Sequence, residues 1–191
     1  NDETELKIVA EILGDYHPGQ FRDQETARQL AQTLVNLVRR TGYSEELEGA
    51  WPVLFFADLK IWAEEAVSAL DTLDRAGRQA KRSFLHYLSE QLSDDNEKVR
   101  DRPELSLLKS VLIKLVRKEP DRENWRAAFD ALSCLDGKAA LEEAVQKILY
   151  GHLDSSNLRF TLDFINQALD EGLEINHEDS AKLARRLVEI I

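Results

Sequence analysis

The chain of 191 residues contains one cysteine, no methionine and no long apolar run. A single cysteine, Cys134, excludes an internal disulfide, and its apolar neighbours Leu132 and Leu135 predict a small core side chain. No run of about 20 apolar residues occurs, so we expect no membrane span. No basic and apolar leader opens the sequence, and we expect an intracellular, most simply cytoplasmic, protein. The chain has no methionine, even at its first position, and we therefore expect it to be a fragment of a longer protein.

Motifs of enzymes and metal sites are also missing. The chain has no glycine-rich phosphate loop, no Gly-x-Ser-x-Gly and no Cys-x-x-Cys. Adjacent carboxylates such as Glu64 and Glu65 point about 100° apart on a helix and do not converge. The four histidines share no metal-ligand spacing: His17, His86, His152 and His177. We therefore expect no catalytic residue, no metal and no cofactor.

Helical periodicity runs through the whole sequence, and no segment alternates as a strand would. Apolar residues recur at spacings of three and four, and short polar links separate the segments. Short links make neighbouring helices pack antiparallel. The prediction is an all-α fold of eight or nine helices.

The segment from Trp51 to Trp62 is apolar nearly all the way round. A helix of this kind must be buried on several sides. We expect one continuous helix from Trp51 to about Arg75, with four residues mostly in the core: Trp51, Phe55, Leu59 and Trp62.

Punctuating residues predict where the later helices begin and end. Pro103 reads as a first helical residue, and Asp121 follows Pro120 as a cap. Ser155 or Ser156 is the expected cap of a later helix. Three glycines are expected to end helices: Gly137, Gly151 and Gly172. The last helix, still periodic and apolar from Leu183 to Ile191, is expected to be docked.

Two architectures fit this pattern. From Pro103 onward the chain has about two helices every 35 to 40 residues, which resembles HEAT-type helical repeats in rhythm only, because no repeat consensus recurs. The alternative is a compact helical bundle, which the apolar segment at Trp51 favours. In either case we expect a single domain over residues 1–191, with sub-lobes at 1–95 and 96–191.

The net charge of −11 is distributed unevenly. Residues 1–74 and 127–191 are acidic, whereas residues 75–126 carry 13 basic and 9 acidic groups. Helical spacing places several cations on one face, which would receive an acidic partner. This predicted basic face consists of Arg75, Arg78, Lys81 and Arg82.

A second candidate is the loop before the second helix. Pro18 and Gly19 make a tight turn there, and Tyr16, His17 and Phe21 surround it. Such a loop is either packed against the fold or available to bind a partner.

The leading hypothesis is a non-enzymatic helical interaction domain that binds a protein partner, as a module of a larger assembly. The first alternative is a nucleic-acid-associated helical protein that uses the basic middle segment, although the net charge opposes this. The second is a helical enzyme with a site assembled from distant residues. The sequence does not determine the oligomeric state.

Overall fold

The computed structural model describes residues 29, 31–36, 50–94, 102–151 and 153–190. The described chain is helical without any strand, which confirms the predicted all-α class. Residues 31–36 are helical. The α-helices with defined bounds are α1 (Ala50–Ala57), α2 (Leu59–Ala76), α3 (Arg78–Asp94), α4 (Ser106–Lys118), α5 (Arg122–Leu135), α6 (Gly137–Tyr150), α7 (Ser155–Asp170) and α8 (His177–Ile190). A 3-10 turn, Pro103–Leu105, leads into α4. No helix among these is long and apolar enough to cross a bilayer.

The described residues form two compact units. The first contains those up to residue 81 together with Arg102–Leu108, and the second contains the rest. The boundaries between the units fall inside α3, between residues 101 and 102, and inside α4. Each unit is therefore built from segments that are separated in the sequence.

The first unit has an aromatic core. Trp51 and Trp62 are fully buried and Phe55 is nearly so, as predicted, while Leu59 is half-buried. The rings of Phe55 and Trp62 meet edge to face, with centroids 4.9 Å apart. Phe56 remains 37% exposed, so the expectation that this segment is buried all round is wrong at that position.

The predicted single helix from Trp51 to Arg75 is in fact two helices, separated at Asp58. Asp58 has an extended backbone, and its carboxylate accepts hydrogen bonds from the amides of Lys60 and Ile61, each 3.1 Å long. An aspartate side chain that bonds nearby amides competes with the helical backbone and favours a cap. The apolar pattern continues through the break, which is why periodicity alone predicts one helix.

Gly77 ends α2 in a conformation that other residues rarely adopt. Its φ is 129°, and its amide donates to the carbonyl of Leu73 at 3.2 Å. Glycine reaches this region without a Cβ penalty. Gly77 therefore separates α2 from α3.

In the second unit, α6 packs against α5, α7 and α8. An aromatic cluster joins α5 to α7: Trp125, Phe129, Phe160 and Phe164. The indole Nε1 of Trp125 donates to the carbonyl of Val116 on α4 at 2.9 Å. Because α6 is covered on several sides, its surface-facing residues are confined to a few positions.

Aspartates cap three helices of this unit, α5, α6 and α7. Asp121, as predicted, and Asp154 accept from the amides of Asn124 and Asn157 at 3.1 and 2.8 Å. The cap of α7 is therefore Asp154, and the prediction of Ser155 or Ser156 is wrong. Asp154 is the extended residue immediately before the helix, and from that position a side chain reaches the third amide.

Two of the expected glycine helix ends are confirmed and one is displaced. Gly151 ends α6 and Gly172 follows the end of α7. Gly137 instead begins α6, since α5 ends at Leu135 and Asp136 both closes α5 and caps α6.

The last helix is docked over a narrow strip. Leu183 is buried, whereas Leu187 is half-buried and Val188 is 79% exposed. The expectation that its whole apolar stripe is docked is therefore wrong at Ala184 and Val188, which are exposed, while Ile191 lies outside the described residues.

Candidate functional site

The predicted basic face is only partly presented to solvent. Arg78 is exposed, but Lys81 is 5% exposed and Arg82 is half-buried, with its guanidinium 3.8 Å from the Asp121 carboxylate. The side chain of Arg75 lies outside the described residues. Helical spacing places Arg78 and Arg82 on one face, but packing determines how much of each charge reaches solvent.

The loop candidate of Tyr16, His17 and Phe21 lies outside the described residues. Its role as a binding loop stays a prediction.

Other cations of the basic middle segment are engaged within the fold. Lys109 pairs with Asp136. Arg117 forms a two-pronged ion pair with Glu143, in which Nε and Nη2 donate over 2.8 and 2.5 Å. The hydrogen bond and the negative charge of Glu143 both raise the pKa of Arg117. Both pairs join the basic segment to the acidic segment that follows it.

Ser156 accepts hydrogen bonds from two further arginines. Arg126 donates to its carbonyl at 3.2 Å and its hydroxyl at 2.9 Å, and Arg122 donates to the same hydroxyl. The guanidinium of Arg126 also lies over the ring of Phe160, 5.1 Å from its centroid. These arginines therefore hold α5 against α7.

Cys134 lies on α5, half-buried. Burial raises the pKa of its thiol, against a lowering by a hydrogen bond from Ser133, and a protonated thiol is a poor nucleophile. Burial raises the pKa of the Asp130 carboxyl and outweighs the opposing effects of His86 and Arg126. Among the described residues no group of three His, Cys, Asp or Glu side chains could hold a metal ion.

A concavity lies where α6 meets the link between α7 and α8. We call it the α6–α8 groove. It has a volume of about 500 Å³ and is lined by Lys138, Leu141, Glu142 and Val145 of α6, residues 172–176 of the link, and Asp179 of α8. The volume of this groove falls within the usual range of ligand pockets, about 300–1,000 Å³.

Local sequence shapes the link that closes this groove. Gly172, with φ 87°, donates to the carbonyl of Leu169, and the amide of Leu173 donates to that of Ala168, each at 3.0 Å. This is a Schellman motif, which turns the chain out of α7. Asn176 then caps α8 by accepting from the amide of Asp179 at 2.9 Å, while its own amide donates to the Asp179 carboxylate at 2.7 Å.

The groove has an apolar floor and an acidic rim. Leu141 and Val145 are buried, and Leu173 and Ile175 are half-buried. The charged groups of the lining are three carboxylates and one ammonium group. The carboxylates belong to Glu142, Glu174 and Asp179, and the ammonium group belongs to Lys138. Glu142 and Glu174 are exposed and make no ion pair within the described part of the chain, whereas Asp179 lies 4.0 Å from Lys182. The lining of the groove is therefore apolar with a net negative charge.

A second concavity, of about 310 Å³, lies between α4 and α6. It is lined in part by Arg117, Glu143, Lys147 and Tyr150. Because Arg117 and Glu143 satisfy one another there, this concavity offers a ligand fewer uncommitted groups than the α6–α8 groove.

Sequence reasoning missed the groove because it treats residues 172–176 as a link. A signal is present there: after Gly172 the residues alternate Leu, Glu, Ile, Asn, and the structure leaves them half-buried and exposed in turn. Period-two alternation outside a strand indicates an extended segment that packs one side on the fold.

No family model, no curated protein and no solved structure matches the chain. A function is therefore argued from the site itself.

Proposed function

We propose that this chain is a non-enzymatic helical interaction domain that binds a protein partner through the α6–α8 groove. The observation that carries the proposal is the apolar floor of the groove, where Leu173 and Ile175 keep part of their surface in solvent. Covering this apolar surface with a partner's side chain removes it from water, which favours binding. The proposal includes an intracellular setting, which the single cysteine supports.

The ion pairs of the basic segment bear on the nucleic-acid alternative. Binding to a phosphate backbone requires cations that are free to replace its counterions. Lys109 and Arg117 are instead committed to Asp136 and Glu143, and Lys81 is buried. The surface chemistry that remains therefore favours a protein partner.

A binary binding measurement tests the proposal. Partners are cross-linked to the chain in the cells that produce it, identified, expressed alone and titrated into the purified chain by calorimetry. A short DNA duplex and a short RNA are titrated in parallel over a salt series. We expect a one-to-one complex with a purified protein, and no salt-steep nucleic-acid binding.

Two results would contradict the proposal. One is the failure of every purified candidate protein to bind. The other is micromolar binding to DNA or RNA that weakens steeply with salt, since this slope is the signature of phosphate contacts.

A further inference from the structure

The chemistry of the α6–α8 groove indicates what kind of partner segment it fits. The floor comes from two sources, buried side chains of α6 and the half-buried Leu173 and Ile175 of the link. A volume of about 500 Å³ accommodates more than one aliphatic or aromatic side chain. An occupant therefore needs apolar anchors, and a purely polar segment would leave the floor uncovered.

The rim specifies the charge of the occupant. Glu142 belongs to α6 and Glu174 to the link, so both elements that line the groove carry an exposed carboxylate, against one ammonium group at Lys138. Cationic side chains on both flanks of an apolar anchor would complete this pattern. Acidic flanks would place like charges together, which costs affinity and slows association.

Resting on the proposed function, we infer that the α6–α8 groove binds a cationic segment of the partner protein that carries apolar anchors. The apolar side chains cover Leu173 and Ile175, and the lysines or arginines beside them pair with Glu142 and Glu174. This charge preference is opposite to that of the predicted basic face, which would receive an acidic partner.

Three labelled synthetic peptides of about 14 residues test the inference. The first has leucines at helical spacing and lysines elsewhere, the second replaces every lysine by glutamate, and the third replaces every leucine by serine. Fluorescence anisotropy with the full chain reports binding. We expect the leucine and lysine peptide to bind at least about tenfold more tightly than either of the others.

Matched charge reversals separate the groove from the general attraction of a −11 chain for cations. The groove variant is Glu142→Lys with Glu174→Lys. The control is Glu90→Lys with Glu123→Lys, which makes the same change in net charge at two exposed positions outside the groove. The groove variant should weaken binding by about tenfold or more, and the control by less than about twofold. All four positions are exposed, so folding is expected to survive and is checked by circular dichroism.

Specific outcomes of these binding experiments would contradict the inference. It is wrong if the glutamate peptide or the serine peptide binds as tightly as the first, if both double variants weaken binding equally, or if no peptide binds. It is also wrong if light scattering shows that the groove closes on a second copy of the chain, so that the groove variant dissociates a dimer. A native partner that binds the groove variant undiminished overturns the inference and the groove as the binding site, while the chain remains a domain that binds a protein partner.

Discussion

The edge-to-face pair of Phe55 and Trp62 carries the clearest prediction for single residues. Replacing Phe55 by alanine removes a side chain that is 5% exposed and leaves a cavity beside the indole. We expect a loss of roughly 3–5 kcal/mol in the free energy of unfolding, measured by urea titration.

Phe56 is the matched control, because it is the adjacent phenylalanine and is 37% exposed. Phe56→Ala should cost about 1 kcal/mol or less. Equal losses for the two variants would contradict the assignment of Phe55 to the core.

Asp136 gives a prediction about pH. Its partial burial would raise the pKa, but the Lys109 ammonium and the amides of Ala139 and Lys138 outweigh burial and lower the pKa of the carboxyl. A lowered folded pKa stabilises the fold above the unfolded pKa of about 3.9, and this stabilisation is lost as pH falls through the folded pKa.

The variant Asp136→Asn keeps a capping oxygen but removes the charge. It should be about 1 kcal/mol less stable than the unmodified chain at pH 7. The expected loss is small because Lys109 is partly exposed, and solvent weakens the ion pair. The difference should shrink towards pH 3 in urea titrations. A difference that is the same at both pH values would show that the charge does not contribute.

At the scale of helices, capping side chains determine helix boundaries that the apolar periodicity of the sequence does not specify. Asp154→Ala removes the acceptor for the Asn157 amide and should cost about 0.5–2 kcal/mol. Asp154→Asn should cost much less, because asparagine caps equally well. Thermal and urea unfolding measure both.

Ser155→Ala is the control beside it. The neighbouring Ser156 is unsuitable, because it accepts from Arg122 and Arg126. Since Asp154 already caps α7, we expect Ser155→Ala to change stability by less than about 0.5 kcal/mol. A larger loss at Ser155 than at Asp154 would restore the serine cap that the sequence predicts.

Helix existence follows from the sequence, whereas some boundaries require the structure. Apolar spacing of three and four predicts the helices from Pro103 onward, because each must bury one face. The break at Asp58 is hidden, because apolar residues continue on both sides of it. A single aspartate in such a run is compatible with a cap or with a solvent-facing helical residue, and only the extended backbone of Asp58 decides between them.

At the scale of the whole chain, the charge pattern acquires a structural explanation. The basic segment and the acidic segment after it meet in the pairs Lys109–Asp136 and Arg117–Glu143. A sequence shows that the two segments differ in charge, but pairing depends on which helices become neighbours. For the same reason the groove could not be predicted: it needs α6 and the α7–α8 link to come together.

Hydrogen–deuterium exchange of the chain with its purified protein partner tests the central claim most directly. The account predicts that the partner slows exchange in peptides that cover residues 138–145 and 172–179, which line the α6–α8 groove. Unchanged exchange in both ranges, with slowing instead around Arg78 and Arg82, would contradict it and assign binding to the basic face.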